Sequence, residues 1–472
     1  MTADPVAALA GLVSRGWLVG GAVRDRALGR ETADFDVVID TAGAGGGSDV
    51  GAIARALGRA AEGHAFELSH EFGAWRVVAH DRGWQMDLTA MHGAGIEQDL
   101  RRRDLTINAI AAPLRGDGWV DPLRGLEDLR RRRLRAVAPD AFACDPLRVL
   151  RLVRIACELG FEIEPETLAS ARTSARGLTR VAPERVFAEL RRIVCAPAAV
   201  AGLELMDEVG ATAAVLPELA ALRGVAQSRF HHLDVLDHTH AVLAEAIELE
   251  RDPERLAGPA AGALHELLAR PLADELTRGE ALRFGALMHD IAKPQTRSVT
   301  AEGRVTFMGH DEAGATLSDT ILGRLRAAQR LREHVAALAR HHLRLGFLVG
   351  DMPLGRRAVY DYLRVTAPVA VDVTVLSVAD RLATRGDNAQ VAIARHLELA
   401  RQLLGEGLHW LADPPRPPLR GDELARALEI RPGPLVGGLL AELEAASFSG
   451  EVVGREQAIQ HARLLLASRP DR

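Results

Sequence analysis

An α+β head followed by a long helical body is the fold class this sequence predicts, and three observations carry the prediction. Short apolar runs separated by glycine turns crowd the first part of the chain. Helically spaced Ala, Leu, Arg and Glu take over from about residue 140, and Pro414-Pro415-Arg416-Pro417-Pro418 punctuates the far end.

At 472 residues the chain exceeds what one small core organises, since domains run to roughly 100–200 residues. The composition is 48% hydrophobic, 26% charged and 4% aromatic, which sets aside disorder, collagen-like repeats and a coiled coil. The three cysteines, Cys144, Cys157 and Cys195, form no C-x-x-C pair. A disulfide framework and a thiolate zinc site are therefore excluded, and a reducing cytoplasm is the expected setting. No basic region precedes an apolar stretch at Met1-Thr2-Ala3-Asp4-Pro5, and no uninterrupted run of about 18 apolar residues occurs, so neither signal peptide nor membrane span is expected.

The elements follow in order. Trp17-Leu18-Val19 reads as a strand, Gly20-Gly21 as a turn, Ala22 to Gly29 as a helix and Asp34-Phe35-Asp36-Val37-Val38-Ile39 as a second strand. Gly43 to Gly47 make a loose connection, and further strands are expected near 64–69, 73–80 and 83–90. Breaks near Pro197, Gly224 to Phe230, Asp252 to Pro259 and the Pro-rich stretch divide the helical part. The expected domains are a head at 1–138, a neck at 139–225, a His-rich helical domain at 226–400 and a C-terminal arm at 401–472.

The net charge of −6 conceals an uneven distribution: residues 100–200 hold 19 Arg against 13 Asp and Glu. That basic segment, with Arg101-Arg102-Arg103, Arg130 to Arg133, Arg148, Arg151 and Arg154, offers a surface for phosphates. An Arg-biased genome decorating solvated helices is the plainer account, and Lys293 as the chain's one lysine agrees with that bias.

Chemistry concentrates at a few points. Strand alternation puts Asp34 and Asp36 side by side on one face, a pair able to hold Mg²⁺. Gly20-Gly21 lets backbone amides approach a triphosphate at a helix start, with Arg24 on the first turn. Asp145 and Arg148, three residues apart, suit the amino group and ring acceptors of C or A, although Asp145-Pro146 is also the opening signature of any helix. Farther on, His238, His289-Asp290 and Asp380, with His310 and His341-His342 between them, are imidazoles and carboxylates able to converge on a divalent metal.

The segment Leu18 to Asp25 followed by Asp34-x-Asp36 resembles the first motif of the class II tRNA nucleotidyltransferase and bacterial poly(A) polymerase family, within the polymerase β superfamily. Arg102-Arg103-Asp104-Leu105-Thr106-Ile107-Asn108, Asp121 to Leu129, Asp145-Pro146-Leu147-Arg148-x-x-Arg151-x-x-Arg154 and Pro183-Glu184-Arg185-Val186-x-x-Glu189 resemble its later motifs in order. The resemblance implies a polymerase β-like head with a small mixed sheet, an all-helical neck, an HD-type body and a C-terminal arm. It implies two Mg²⁺ on Asp34 and Asp36, with Asp87 a candidate third carboxylate. Gly20, Gly21, Arg24, Arg102, Arg103, Asp104, Asn108, Arg151 and Arg154 fall to triphosphate and sugar, and Asp145 with Arg148 to the base. Relatives carry an acidic residue where this chain has Cys144.

His238, His289, Asp290 and Asp380 are similar to the HD phosphohydrolase signature, implying a transition metal such as Mn, Ni or Fe. The implied activity is template-independent addition of CCA, from CTP and ATP, to the 3′ end of tRNA. A poly(A) polymerase, a partial CC- or A-adding enzyme, an HD phosphohydrolase with an inactive head, and an RNA-binding module are the alternatives.

Overall fold

A polar tip and an apolar root distinguish the strand that carries Asp34 and Asp36, and the sheet is built around that asymmetry. The structure, a computed structural model, describes residues 4–41, 49–69, 73–81, 83–227, 233–384 and 389–468. Strands β1 (Gly16–Val19), β2 (Asp34–Ile39), β3 (His64–Ser69), β4 (Ala74–Val78), β5 (Gln85–Ala90) and β6 (Ala111–Pro113) lie in the order β3-β4-β5-β2-β1-β6. Val37, Val38 and Ile39 are buried while Asp34 and Asp36 stay open to solvent, so β2 is anchored at one end and chemically available at the other.

The sheet is mixed. β2 pairs antiparallel with β1 and parallel with β5. Parallel pairing demands a crossover, which helix Val50–Ala60 and the β3–β4 hairpin supply. The expected strands therefore form, trimmed by a few residues at their ends. The Gly43–Gly47 connection lies outside the described residues, as do residues 228–230 of the expected break.

Two compact units divide the chain, Met1–Val215 and Leu216–Arg472. In the first, helix Leu147–Leu159 buries Val149, Leu150, Leu152, Val153 and Ile155, each worth about 1.5–3 kcal/mol, and ends at Gly160 with φ +64°. Burying that apolar face is what brings Arg148 and Arg151 to a fixed place. In the second, helices Val235–Arg251, Arg278–Met288, His310–Arg324, Gln329–His341 and Ala370–Ala383 pack together. Leu424, Leu439, Leu443, Ala458 and Ala462 close the core of the arm.

Among the described residues three short strand pairs lie outside the main sheet, one of them reaching into the neck expected to be all-helical. Arg133–Leu134 pairs with Glu162–Ile163, Pro271–Ala273 with Leu276–Thr277, and Ser298–Val299 with Val305–Thr306. Turn chemistry explains the second pair: Asp274 and Glu275 both take positive φ, the two-residue connection that matches strand twist. Among the described residues no single helix is long and apolar enough to cross a membrane.

Candidate functional site

Asp34 and Asp36 point the same way from the tip of β2, beside the turn that leaves β1. Gly20 makes this possible: its φ of +69° and ψ of −139° are open to glycine alone, and a Cβ there would stand 2.7 Å from Asp36 Oδ2 and 3.3 Å from Arg103 Nη1. Gly21 meets no such contact, since its nearest neighbour to a built Cβ is Arg24 at 3.6 Å. Gln85 donates to Asp34 Oδ1 at 3.0 Å and fixes the outer carboxylate.

A cleft of about 680 Å³ opens at this point. Gly20, Gly21, Arg24, Asp34, Asp36, Arg102, Arg103, Asp104, Asn108, Asp145, Arg148, Arg151 and Arg154 all reach its wall, drawn from segments as far apart in sequence as residues 20 and 154. Asp87 is not on that wall. Register places it beside Asp36, and Arg76 grips both its oxygens at 2.7 and 2.8 Å. Sequence reading missed Arg76; the cross-strand pairing of Arg76 with Asp87 was the signal, available once β4 and β5 are set in register.

The arginines are held, not loose. Arg24 clasps Asp25 at 2.9 and 3.0 Å and donates to Asn108 Oδ1 at 3.1 Å. Asp104, buried, accepts from Leu105 N, Asn108 Nδ2 and Arg151 Nε at 2.7, 3.1 and 2.8 Å. Burial alone would raise its pKa, but the Arg151 guanidinium and these hydrogen bonds outweigh it and hold the carboxyl well below the ordinary range. Asp104 in turn raises the pKa of Arg151. Arg154 gives Nε to Glu189 at 2.6 Å and Nη1 to Glu158 at 2.8 Å, so two carboxylates share it with the cleft.

Arg148 donates from Nη1 to the carbonyls of Arg103 and Ala141 at 3.0 Å each, and from Nη2 to that of Arg102 at 2.6 Å. Three backbone oxygens orient it, the task an acidic neighbour would perform; Cys144 is exposed and turns its Sγ toward Asp140 at 3.7 Å. Asp145 accepts from Leu147 N at 3.2 Å and pairs with Arg185 at 3.2 Å, a partner sequence reading placed only on a supporting helix. Asp99, also missed, binds Arg103 at 3.2 Å from its place on the wall.

Seven arginines and six aspartates line the cleft, close to balance. Asp36 is reachable by solvent yet crowded by protein. That crowding, with Asp87 and Asp34 nearby, raises its pKa against the pull of Arg103. Adjacent carboxylates under such mutual repulsion fit divalent cations, and a triphosphate entering a nearly neutral cleft needs them.

The second unit holds a separate centre. His238 Nε2 lies 3.1 Å from Asp380 Oδ1 and 3.7 Å from Asp290 Oδ2, and His289 Nε2 lies 3.1 Å from Asp290 Oδ2. His310 and His342 approach Asp290 Oδ1 at 3.3 and 3.8 Å. Two metal-sized groups thus overlap at Asp290: with His238 and His289, and with His310 and His342. The four expected residues converge; His310 and His342 join them, while His341 turns aside to Arg344.

The donor chemistry fits a cation. His289, His310 and His342 commit Nδ1 to the carbonyls of Ala286, Phe307 and Ala339 at 2.7–2.8 Å, so each neutral ring directs an Nε2 lone pair inward. The Nε2 atoms of His310 and His342 face each other at 3.3 Å. Burial disfavours charge on His289, but Asp290 outweighs it and raises the pKa; burial drives that of His342 down to about 4.

Paired carboxylates at a strand tip, a glycine turn and an arginine-lined wall define a metal-dependent nucleotidyltransferase cleft. The comparisons agree. A Poly A polymerase head domain matches residues 16–135, a probable RNA and SrmB-binding site of polymerase A matches 160–222, and an HD domain matches 261–385. The chain is 37% identical to the A-adding tRNA nucleotidyltransferase of Deinococcus radiodurans, over 93% of each protein. It is 35% identical to the CC-adding tRNA nucleotidyltransferase of Thermus thermophilus, over 93% of this chain and 91% of that one. The fold resembles a CCA-adding enzyme solved with ATP, with a TM-score of 0.64 at 17% identity over 98% of this chain and 97% of that one. It also resembles the Thermotoga maritima CCA-adding enzyme complexed with tRNA, with a TM-score of 0.62 at 17% identity over the same shares. This chain belongs to the tRNA nucleotidyltransferase and poly(A) polymerase family.

Proposed function

We propose that this chain adds CCA to the 3′ end of tRNA from CTP and ATP, releasing pyrophosphate. One observation carries the reading: Asp34 and Asp36 share a single cleft with Arg103, Arg151 and the Asp145–Arg148 pair. Asp34 and Asp36 hold Mg²⁺, with Asp87 behind Asp36. Ions held there would supply the charge that lowers the pKa of the attacking hydroxyl and offsets that of the leaving group. The RNA 3′ oxygen bonds to the α-phosphorus as the bond from that phosphorus to the bridging oxygen breaks, and pyrophosphate departs. Arg24, Arg103, Arg151 and Arg154, kept in place by Asp25, Asp99, Asp104 and Glu189, bind triphosphate and sugar together with Arg102.

Base choice follows from donors and acceptors. Asp145 accepts from the exocyclic amine that C carries at N4 and A at N6, where U and G carry carbonyl oxygens, while Arg148, anchored through Nη1 and Nη2, keeps Nε–H for a ring acceptor. A partial enzyme adding only CC or only A is the second reading, favoured by the names of the two relatives that match over 93% of the chain. The second centre takes a divalent metal such as Mn, Ni or Fe, and the protein works in the cytoplasm with tRNA. Incubating tRNA that lacks its 3′ end with each labelled nucleotide, alone and together, tests this. Two C followed by one A confirms CCA addition, a single kind of base establishes the partial enzyme, and a long A ladder replaces both with polyadenylation.

A further inference from the structure

Of 58 Lys and Arg residues, one is a lysine, and it lies in the second centre. Every other cationic position in the chain is written as arginine, so whatever favours arginine has been resisted here. Lys293 is 7% exposed; its Nζ lies 2.6 Å from Asp290 Oδ2, donates to Gln227 Oε1 at 2.7 Å, and stands 5.4 Å from the centre of the Phe307 ring. The same Asp290 oxygen faces His238 and His289, and its other oxygen faces His310 and His342. Lys293 therefore holds the one carboxylate common to both metal-sized groups.

The two cationic side chains differ in what they would do there. A guanidinium is a planar fork that takes both oxygens of a carboxylate at once, as Arg76 does with Asp87. An ammonium is a compact charge on a flexible stem that touches one oxygen and swings away. We propose that Lys293 is a displaceable counter-charge: its ammonium neutralises and orients Asp290 until a divalent cation takes that oxygen, and then retreats toward Gln227. This rests on the reading that the centre holds divalent cations. Lys293 acts through Asp290 and is a positioning residue.

The sign of one substitution tests it. Full-length chains carrying Asp34→Ala and Asp36→Ala, so that the second unit alone is counted, are dialysed against Mn²⁺ and bound metal is measured. Lys293→Met removes the competitor and tightens Mn²⁺ binding by at least about tenfold. Lys293→Arg chelates Asp290 and weakens binding by a similar factor. A Lys293→Met chain that binds more weakly than its parent overturns the proposal, because that is what a purely structural lysine gives. Mn²⁺ absent from every chain overturns the metal reading and this proposal with it.

Should Lys293→Met fail to fold, the parent chain still decides. Grown with isotope-labelled lysine it gives one side-chain NMR signal, which shifts on saturation with Zn²⁺ and returns with chelator if the ammonium leaves Asp290. A signal unmoved at saturation overturns the proposal.

Discussion

Gly20 and Asp36 form one device at the scale of single residues, since the glycine's missing Cβ is the space the carboxylate occupies. Gly20→Ala puts a methyl 2.7 Å from Asp36 Oδ2 in a backbone conformation costing about 1–3 kcal/mol. The expected result is a roughly hundredfold lower kcat, measured as labelled nucleotide incorporation, because the misplacement sits at the reacting centre. Asp36→Ala removes a cation ligand outright. Several kcal/mol of transition-state stabilisation goes with it, about a thousandfold in rate, while the fold survives because the residue is solvent-exposed. Normal incorporation by Asp36→Ala would remove the basis for the mechanism. These residues were legible because a glycine turn and carboxylates two apart on a strand are local patterns. Arg76 and Arg185 were not, because each is defined by a partner on another segment, whereas Asp99, four residues before Arg103, was a local pair that went unread.

Helices and strands act on the cleft as levers. Helix Leu147–Leu159 carries Arg148, Arg151 and Arg154 on its polar side, and the Asp104–Arg151 bond ties it to the segment after Arg103. The pKa of Asp104 is depressed in the folded chain, so its contribution to stability is fully present above its unfolded value and is lost as pH falls toward the folded one. Asp104→Asn therefore costs about 1.5–3 kcal/mol at neutral pH. The gap from the parent narrows below about pH 4. Urea melts at several pH values measure it; a gap that widens in acid contradicts the assignment. The helix was readable from apolar spacing and the strands from alternation. The short pairs at Pro271–Thr277 and Ser298–Thr306 were not, because two- and three-residue strands leave no periodicity to detect.

For the whole molecule the division into Met1–Val215 and Leu216–Arg472 sets the two chemistries apart. Each residue on the cleft wall precedes Pro217, and each histidine and aspartate of the second centre follows Leu216. That boundary could not be drawn to the residue from sequence, because hydropathy reports which positions are buried and not against which partner. Separate sites predict separable losses. Asp380→Ala takes away the carboxylate 3.1 Å from His238 Nε2 and lowers the second unit's metal content, while incorporation into tRNA stays within about twofold of the parent, as independent sites require. Asp34→Ala does the reverse, abolishing incorporation and leaving that metal content intact. Metal analysis and incorporation on the same preparations read both quantities. A collapse of tRNA labelling in Asp380→Ala would mean that the two centres are energetically coupled, and the second unit would then have to be written into the transfer reaction itself.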